Sequence, residues 1–404
     1  MFSDRTNWPL TRNRFTLALD ALRASGIPLL DLTASNPTQC GFHYDSGAIL
    51  SAFQNPAALT YDPQSKGTLA ARREVARYYF DDHQTTVDPE SLFLTTSTSE
   101  AYSYAFRLLC NPGDELLLPK PSYPLFEFLA GLQDVRLAPY SLAYAHGWFI
   151  DFQSLERALT PRTRAILLVH PNNPTGSYVH PEELALLNAL CRSHNLALII
   201  DEVFLDFAFD SPPRKTFAAN FEVLTFTLSG LSKISALPQM KIAWLAVTGP
   251  DSHVRPALDR LEIIADTYLS LSAPAQAALP ALLAQRHSLR PQLQARIRKS
   301  RPPPIPTPHA SYLRTPPRRR RLVRRHPLLR QLLRSRVRRR PRDPPTPHSP
   351  RPPPPRPLLR LPLQQPPRPK PHRSPIRLRP RCPKTPLQFL AGFLSASNHG
   401  DCRL

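Results

Sequence analysis

RAILLVHPNNPTGSYVHPEELALLNALCRSHNLALIIDEVF, residues 164–204, decides the fold class. Two short, unbroken apolar runs, RAILLVH and LALII, bracket PEELALLNALCRSHN, whose apolar residues recur at helical spacing. A strand that alternates apolar and polar residues has one wet face. A strand apolar throughout is covered on both faces, the signature of a parallel sheet in a strand–helix–strand unit.

The same texture extends outward. SLFLTT (91–96) reads as a strand and EAYSYAFRLL (100–109) as a helix closed by Asn111-Pro112-Gly113. DELLLPKPSYP (114–124) is a strand running into a Pro-rich turn, EVLTFTLS (222–229) a strand entering the loop around Lys233, and KIAWLAV (241–247) a further strand. GTLAARREVARYYF (67–80) is an amphipathic helix, and RFTLALDALRASG (14–26) a shorter one that stops at Gly26. An extended segment, PLLDLTASNPT (28–38), follows, and residues 251–298 are helical in character. The expectation is an α/β protein with a mainly parallel central sheet flanked by helices.

Charge is divided unevenly. The chain of 404 residues carries a formal net charge of +22, but residues 301–404 hold 26 of the 52 Lys and Arg and only two acids, Asp343 and Asp401. Residues 1–300 are left with 26 basic and 28 acidic side chains, the balance of an ordinary soluble protein. Five cysteines lie without CxxC spacing, which argues against a zinc site and a disulfide framework. The N-terminus, MFSDRTNWPL, lacks a signal peptide's apolar core, and no apolar run approaches the ~20 residues of a membrane span. A reducing cytoplasm, with no membrane association, is the expected setting.

From residue 299 the texture changes: residues 301–404 contain 27 prolines and two glycines. Such a segment is expected to be disordered or polyproline II. Two origins compete: a genuine basic appendage that binds nucleic acid or an acidic surface, or a shifted reading frame in GC-rich coding DNA. Few interleaved aromatics (Tyr312, Phe389, Phe393) and an abrupt change inside the helical run LQARIRKSR favour the shift over nucleic-acid binding. The expected organisation is an N-terminal small-domain segment at 1–45, a large domain at 46–285, the start of a small-domain return at 286–298, and the tail at 299–404.

Three positions carry chemistry. Asp201 follows the buried run LALII, where a carboxylate is costly unless it meets a positive partner; the plainer alternative is a turn cap. Lys233 follows an apolar strand in a loop of small residues, a setting that depresses an amine's pKa; most lysines are merely solvated. TTSTSEAY (95–102) opens a helix with hydroxyls and free N–H groups, a phosphate seat or an ordinary N-cap with Glu100.

Taken together, YDPQSKG (61–67), TSTSEAY (96–102), PKPSYP (119–124), HPNNPTG (170–176), DEVF (201–204) and SGLSKISALPQMKIAW (229–244) resemble the class I/II aminotransferases, fold-type I enzymes dependent on pyridoxal phosphate. The resemblance spans about residues 30–280. It implies that Lys233 bears the cofactor as a Schiff base and shuttles the proton of the substrate, and that Asp201 pairs with the pyridine nitrogen. It implies that Asn173 bonds the ring hydroxyl and the substrate carboxylate, that Tyr123 stacks on the ring, and that Ser97, Thr98 and Ser99 bind the phosphate. Lys241 would join them on the phosphate, with Ser232 as a helper. Tyr61 would reach the phosphate of a neighbouring subunit in a homodimer, and Asn36 would lie near the substrate. The implied reaction moves an amino group from an amino acid to a 2-oxo acid; alternatives are a C–S lyase on the same scaffold, an inactive cofactor-binding remnant, or a nucleic-acid-binding protein built on the tail. No arginine after residue 299 stands in a setting that identifies a clamp for the substrate carboxylate. An unpartnered small domain would also leave apolar faces of 1–45 and 260–298 uncovered.

Three positions depart from the family pattern. Lys241 stands where an arginine is usual, keeping the charge without the planar fork. Gly230 stands where some members have serine, with Ser229 or Ser232 as substitutes. Phe204 stands where many have a tyrosine that donates to the ring hydroxyl, leaving Asn173 to make that contact alone. Restoring the phenol in Phe204→Tyr is expected to shift the pH at which the bound cofactor changes its visible absorbance. Superimposable titration curves for the two proteins would show that no donor is missing.

Overall fold

The computed structural model describes residues 1–300 apart from 9, 32–34, 146 and 209–214, so the expected tail lies outside the described residues from 301 onward. Eight strands occur among the described residues: β1 (Leu92–Thr95), β2 (Glu115–Lys120), β3 (Arg136–Tyr144), β4 (Trp148–Ile150), β5 (Thr163–Val169), β6 (Ala197–Asp201), β7 (Thr225–Gly230) and β8 (Ala243–Thr248). They form one sheet in the order β1-β8-β7-β6-β5-β2-β3-β4. The pairs β2–β3, β2–β5, β5–β6 and β6–β7 are parallel, whereas β8 is antiparallel to both its neighbours and β4 folds back on β3. Since β8 opposes both β1 and β7, these two run the same way. The carboxyl ends of β1, β2, β5, β6 and β7 therefore open on one edge of the sheet.

The helices are α1 (Arg14–Ala24), α2 (Ser46–Ser51), α3 (Leu69–His83), α4 (Thr98–Leu109), α5 (Leu125–Gly131), α6 (Phe152–Ala158), α7 (Pro181–His194), the single turn α8 (Leu231–Ile234), α9 (Asp251–Asp266), α10 (Ala273–Ala284) and α11 (Arg286–Ser300). None among the described residues is long and apolar enough to cross a membrane. α7 shows how local sequence sets an element. Pro181 occupies its first turn, Glu183 accepts from the backbone N–H of His180 at 2.8 Å, and Asn195 ends it in the left-handed region at φ 52°.

The unbroken apolar strands are explained by what covers them. Leu167 and Ile199 join Phe93, Phe226 and Leu245 in a core beneath α4 and α9. Ile166, Leu168, Leu198 and Ile200 face the other way, onto Leu186, Leu187 and Leu190 of α7. A third core packs Leu92, Leu94 and Trp244 against α3 and α10. Each fully buried aliphatic side chain contributes about 1.5–3 kcal/mol. β3 and β4, which the sequence reading does not anticipate, lack this signal. β3 buries only Tyr140 fully and contains Pro139, and β4 has three residues. Elsewhere the outer surface keeps apolar side chains: Phe2, Leu10, Phe15, Leu17, Ile27, Leu29 and Leu30 near the N-terminus are exposed, and α1 has no buried residue.

A charged cluster fixes the turn that follows β6. Oδ2 of Asp206 accepts from the Tyr78 hydroxyl at 3.1 Å, while Oδ1 lies 3.2 Å from Nε2 of His83 and 3.6 Å from a guanidinium nitrogen of Arg290. Arg290 and Arg286 also reach Oδ2 of Asp82, at 2.7 and 2.9 Å. One residue after Asp201, buried Glu202 accepts from Thr216 Oγ1 and the Phe217 N–H, each at 2.6 Å. Burial opposes the His83 imidazolium, but the hydrogen bond and charge of Asp206, aided by Glu202 and Asp82, hold its pKa above the ordinary value. Burial likewise opposes the Asp206 carboxylate, yet His83, Arg290 and Tyr78 hold its pKa below the ordinary value.

The signs fix a pH window. A raised imidazole pKa gives stability that is complete below the unfolded value, about 6.5, and lost as pH climbs through the raised one. A lowered carboxyl pKa gives stability that is complete above about 3.9 and lost as pH falls through the lowered one. Asp206→Ala is therefore expected to cost about 3–5 kcal/mol in urea unfolding between those limits. The gap from wild type should narrow on either side; an equal gap at every pH would show that His83 and Asp206 are not coupled.

Candidate active site

The open edge of the sheet gathers the sequence-singled residues. Asp201 is the last residue of β6, and its carbonyl accepts from the His170 N–H at 2.8 Å, which ties the end of β5 to the end of β6. The residue is 8% exposed. Oδ1 accepts from the Val203 N–H at 3.0 Å and Oδ2 from the Tyr102 hydroxyl at 2.8 Å. Burial pushes the Asp201 pKa up, and those two donors together with the charge of Lys233 offset only part of that push. The carboxylate is thus short of positive charge.

Lys233 sits across from it. β7 ends at Gly230, where an added Cβ would lie 2.9 Å from the Cα and Cβ of Ala243 and the carbonyl of Ile242. Glycine is required because the backbone runs against β8, so the departure at 230 reflects packing with no room for a serine side chain. The turn α8 follows, anchored by the Leu231 N–H on Ile242 O at 3.0 Å. Nζ of Lys233 lies 5.1 Å from the centroid of the Phe204 ring. Burial lowers the lysine pKa, and the charge of Asp201 works against that shift. The expected desolvated amine is present, and its neighbour at 204 is an aromatic face rather than a phenol.

The loop after β5 contains two cis X-Pro bonds, His170–Pro171 and Asn173–Pro174. Asn172, not Asn173, braces it: the Asn172 amide donates to Pro121 O at 3.3 Å and Thr175 Oγ1 at 2.9 Å. Asn173 remains half-buried. Tyr123, on the turn after β2, is 37% exposed, stands edge-on to Phe126 with centroids 5.9 Å apart, and has its pKa raised by burial and by Asp201. Ser97 caps α4 by accepting from the Glu100 N–H at 3.2 Å. Thr98 and Ser99 form its first turn, whose N–H groups precede the first intrahelical bond and lie at the positive end of the helix. Glu100 is held by Thr96 and by Ser270 Oγ at 2.8 Å.

Among the described residues six buried side-chain polar atoms have no hydrogen-bond partner, and three of them, Ser122 Oγ, Asn172 Oδ1 and Ser229 Oγ, belong to residues at or just beyond the strand ends of this edge. The other expected residues differ in exposure. Tyr61 is 83% exposed, Lys241 is exposed in the left-handed region at φ 53°, and Ser232 is half-buried. The Asn36 side chain serves its own turn, accepting from the Thr38 N–H at 3.1 Å and hydroxyl at 2.8 Å. Among the described residues no cluster of His, Cys, Asp or Glu is arranged to hold a metal. Sequence reasoning missed Tyr102. Its signal was spacing: it falls four residues after Thr98 and so shares that helix face.

Comparison with known proteins gives the family. The family described as aminotransferase class I and II matches residues 30–301. The glutamate-pyruvate aminotransferase AlaA of Escherichia coli K12 is 30% identical over 270 residues, 66% of each chain. The alanine aminotransferase of Mycobacterium bovis is 31% identical over 271 residues, 66% of this chain and 63% of that one. The alignment therefore spans just under two thirds of these relatives' length. A crystal structure of an Escherichia coli aminotransferase superimposes with a TM-score of 0.60 at 30% identity, covering 69% of this chain and 70% of that one. A Thermus thermophilus aspartate aminotransferase shares the fold, with a TM-score of 0.63 at 22% identity over 74% and 78% of the two chains. With its sheet order, its edge of strand ends and its matched motifs, the chain belongs to the class I and II aminotransferase family.

Proposed function

We propose that the chain binds pyridoxal phosphate at the open edge of the sheet and transfers an amino group from an amino acid to a 2-oxo acid. The observation that carries this reading is the pairing of a buried, under-compensated Asp201 with a desolvated Lys233. The residues fit the cofactor: the charge of Lys233 and two hydrogen bonds offset only part of the burial of Asp201, which a cationic N–H would answer, and Ser122, Asn172 and Ser229 near the same strand ends carry polar atoms unpaired among the described residues. When bound, the cofactor supplies an aldehyde that condenses with amines and a protonated ring that accepts electrons.

Each side chain has a task in this reading. Lys233, disposed by burial toward its neutral, nucleophilic form, would hold the cofactor's aldehyde carbon and would move the proton at the substrate Cα. Asp201 meets the pyridine N–H. Asn173 reaches the ring hydroxyl and the substrate carboxylate, and Tyr123 lies against the ring. Ser97, Thr98 and Ser99, with Ser232 and Lys241, receive the phosphate at the positive end of α4. Ser97 can still donate its hydroxyl proton while accepting from Glu100. Asn36 approaches the substrate, and Tyr61 completes the phosphate site of a second copy of the chain. The exposed apolar residues near the N-terminus support a homodimer. The names of the relatives make glutamate and pyruvate the first pair to assay.

The test is to add pyridoxal phosphate to purified protein, record the visible absorbance, reduce with borohydride and locate the modified peptide. The label is expected on Lys233 and absent from Lys233→Ala; a label spread over surface lysines would overturn the assignment. Cofactor binding without turnover of glutamate and pyruvate would leave a cofactor-binding remnant or another substrate pair. Asp201→Asn tests the partner. A carboxyl with a raised folded pKa loses stability as pH rises through that pKa, so removing its charge should not lower the unfolding midpoint of the cofactor-free protein at neutral pH. The same variant should lose the stabilisation that added pyridoxal phosphate gives wild type. A cofactor-free midpoint well below wild type, with the cofactor shift retained, would make Asp201 a structural residue.

A further inference from the structure

Tyr102 projects from the second turn of α4, on the face that carries Thr98 and Ser99 at its start. Its side chain is 2% exposed, packed edge-to-face on Phe126 with centroids 5.1 Å apart at 79°, and tilted against Phe106 at 5.8 Å. The aromatic cage fixes the ring, and the ring delivers its hydroxyl to Oδ2 of Asp201 at 2.8 Å. Val203 N–H holds the other oxygen, within the turn clamped by Glu202 and Asp206. Two donors on two oxygens fix the carboxylate plane and leave lone pairs for a third.

We propose that Tyr102 is a positioning residue for the cofactor: by holding Oδ2 of Asp201, its hydroxyl sets the orientation and proton affinity of the carboxylate that meets the pyridine nitrogen. The proposal rests on the reading of Asp201 given above. The groups that face this carboxylate are few. Tyr102 comes from α4, Tyr123 from the turn after β2, Lys233 from α8, and the Val203 N–H from its own turn. With Lys233 engaged on an aldehyde its full positive charge is no longer assured, and the Tyr102 hydroxyl becomes a principal fixed donor. A hydrogen bond to a buried charged group is among the stronger kinds, and the closed cage leaves little access for a water to replace it. A tyrosine that only filled space would be served equally by phenylalanine.

The experiment compares wild type, Tyr102→Phe and wild type carrying 3-fluorotyrosine at position 102, whose more acidic phenol donates more strongly. Carbon-13 NMR follows the Asp201 carboxyl titration in cofactor-free protein. Affinity is then measured for pyridoxal phosphate and for 1-deazapyridoxal phosphate, which has carbon in place of the ring nitrogen. The Asp201 midpoint is expected to rise in Tyr102→Phe and to fall with 3-fluorotyrosine. Tyr102→Phe should bind pyridoxal phosphate about ten-fold more weakly and the deaza analogue no more weakly than wild type does. One common midpoint in all three proteins, or an equal loss for both ligands, overturns the proposal. Should Tyr102→Phe fail to fold, the fluorotyrosine protein, which keeps every contact, decides by the direction of its midpoint. Wild type that binds neither ligand would instead fell the cofactor reading itself, and this proposal with it.

Discussion

The carboxylate of Asp201 ends a strand whose other four residues are apolar, and two hydrogen bonds do not compensate the loss of water around it. The surrounding structure is organised around that deficit. β5 and β7 flank β6 in parallel, so the two loops that start beside Asp201 are the one carrying Asn173 and the one carrying Lys233. The turn after Asp201 places an aromatic ring under the lysine and is itself pinned by two carboxylates, Glu202 and Asp206. Burial pushes the Glu202 pKa up to about 7, even with two short hydrogen bonds on its oxygens. Three acids within six residues are therefore held where solvent would not sustain them, each answered by a different element of the fold.

Much of this was readable in one dimension. Strands buried on both faces announce themselves by apolar runs, so β5, β6, β7 and β8, and α7 between the first two, follow directly from composition and spacing. Asp201 and Lys233 drew attention by their places, at the end of an apolar run and in the small-residue loop after another, although a turn cap and a solvated lysine were the plainer readings of each alone. β3 and β4 were not, because strands at the outer part of a sheet keep exposed residues and lose the pattern. The Tyr102–Asp201 bond joins residues 99 apart in sequence, and the Tyr78–Asp206 bond residues 128 apart. Contacts at that range leave no periodicity to find. Glu202, His83 and Asp206 read as ordinary charges until the packing of α3 and α11 removes the water from them.

The positions that depart from the family pattern also separate by cause. Gly230 is set by the backbone of β8, which would collide with any side chain. Phe204 is set by its neighbours: it packs edge-on against Phe207 at 5.4 Å while presenting its face to the Lys233 amine. The structure supplies no comparable reason for lysine at 241. Its left-handed backbone at φ 53° is a strained choice for a long side chain.

The pairing of α11 with α3 raises a problem of alignment. Arg286 and Arg290 are one helical turn apart, and both bond the same oxygen of Asp82. Against Asp82 alone, a slide of α11 by one turn, about 5.4 Å, would put one arginine in the other's place and still leave Asp82 a partner. Two contacts break that degeneracy. Of the two arginines only Arg290 lies near Asp206, at 3.6 Å, and Gln294 donates to the carbonyls of Asp206 and Ala208 at 3.3 and 3.2 Å. A one-turn slip would strand both. The acid that steadies the turn beyond Asp201 thus also acts as an index mark, admitting one register of the last described helix and rejecting its near-equivalent.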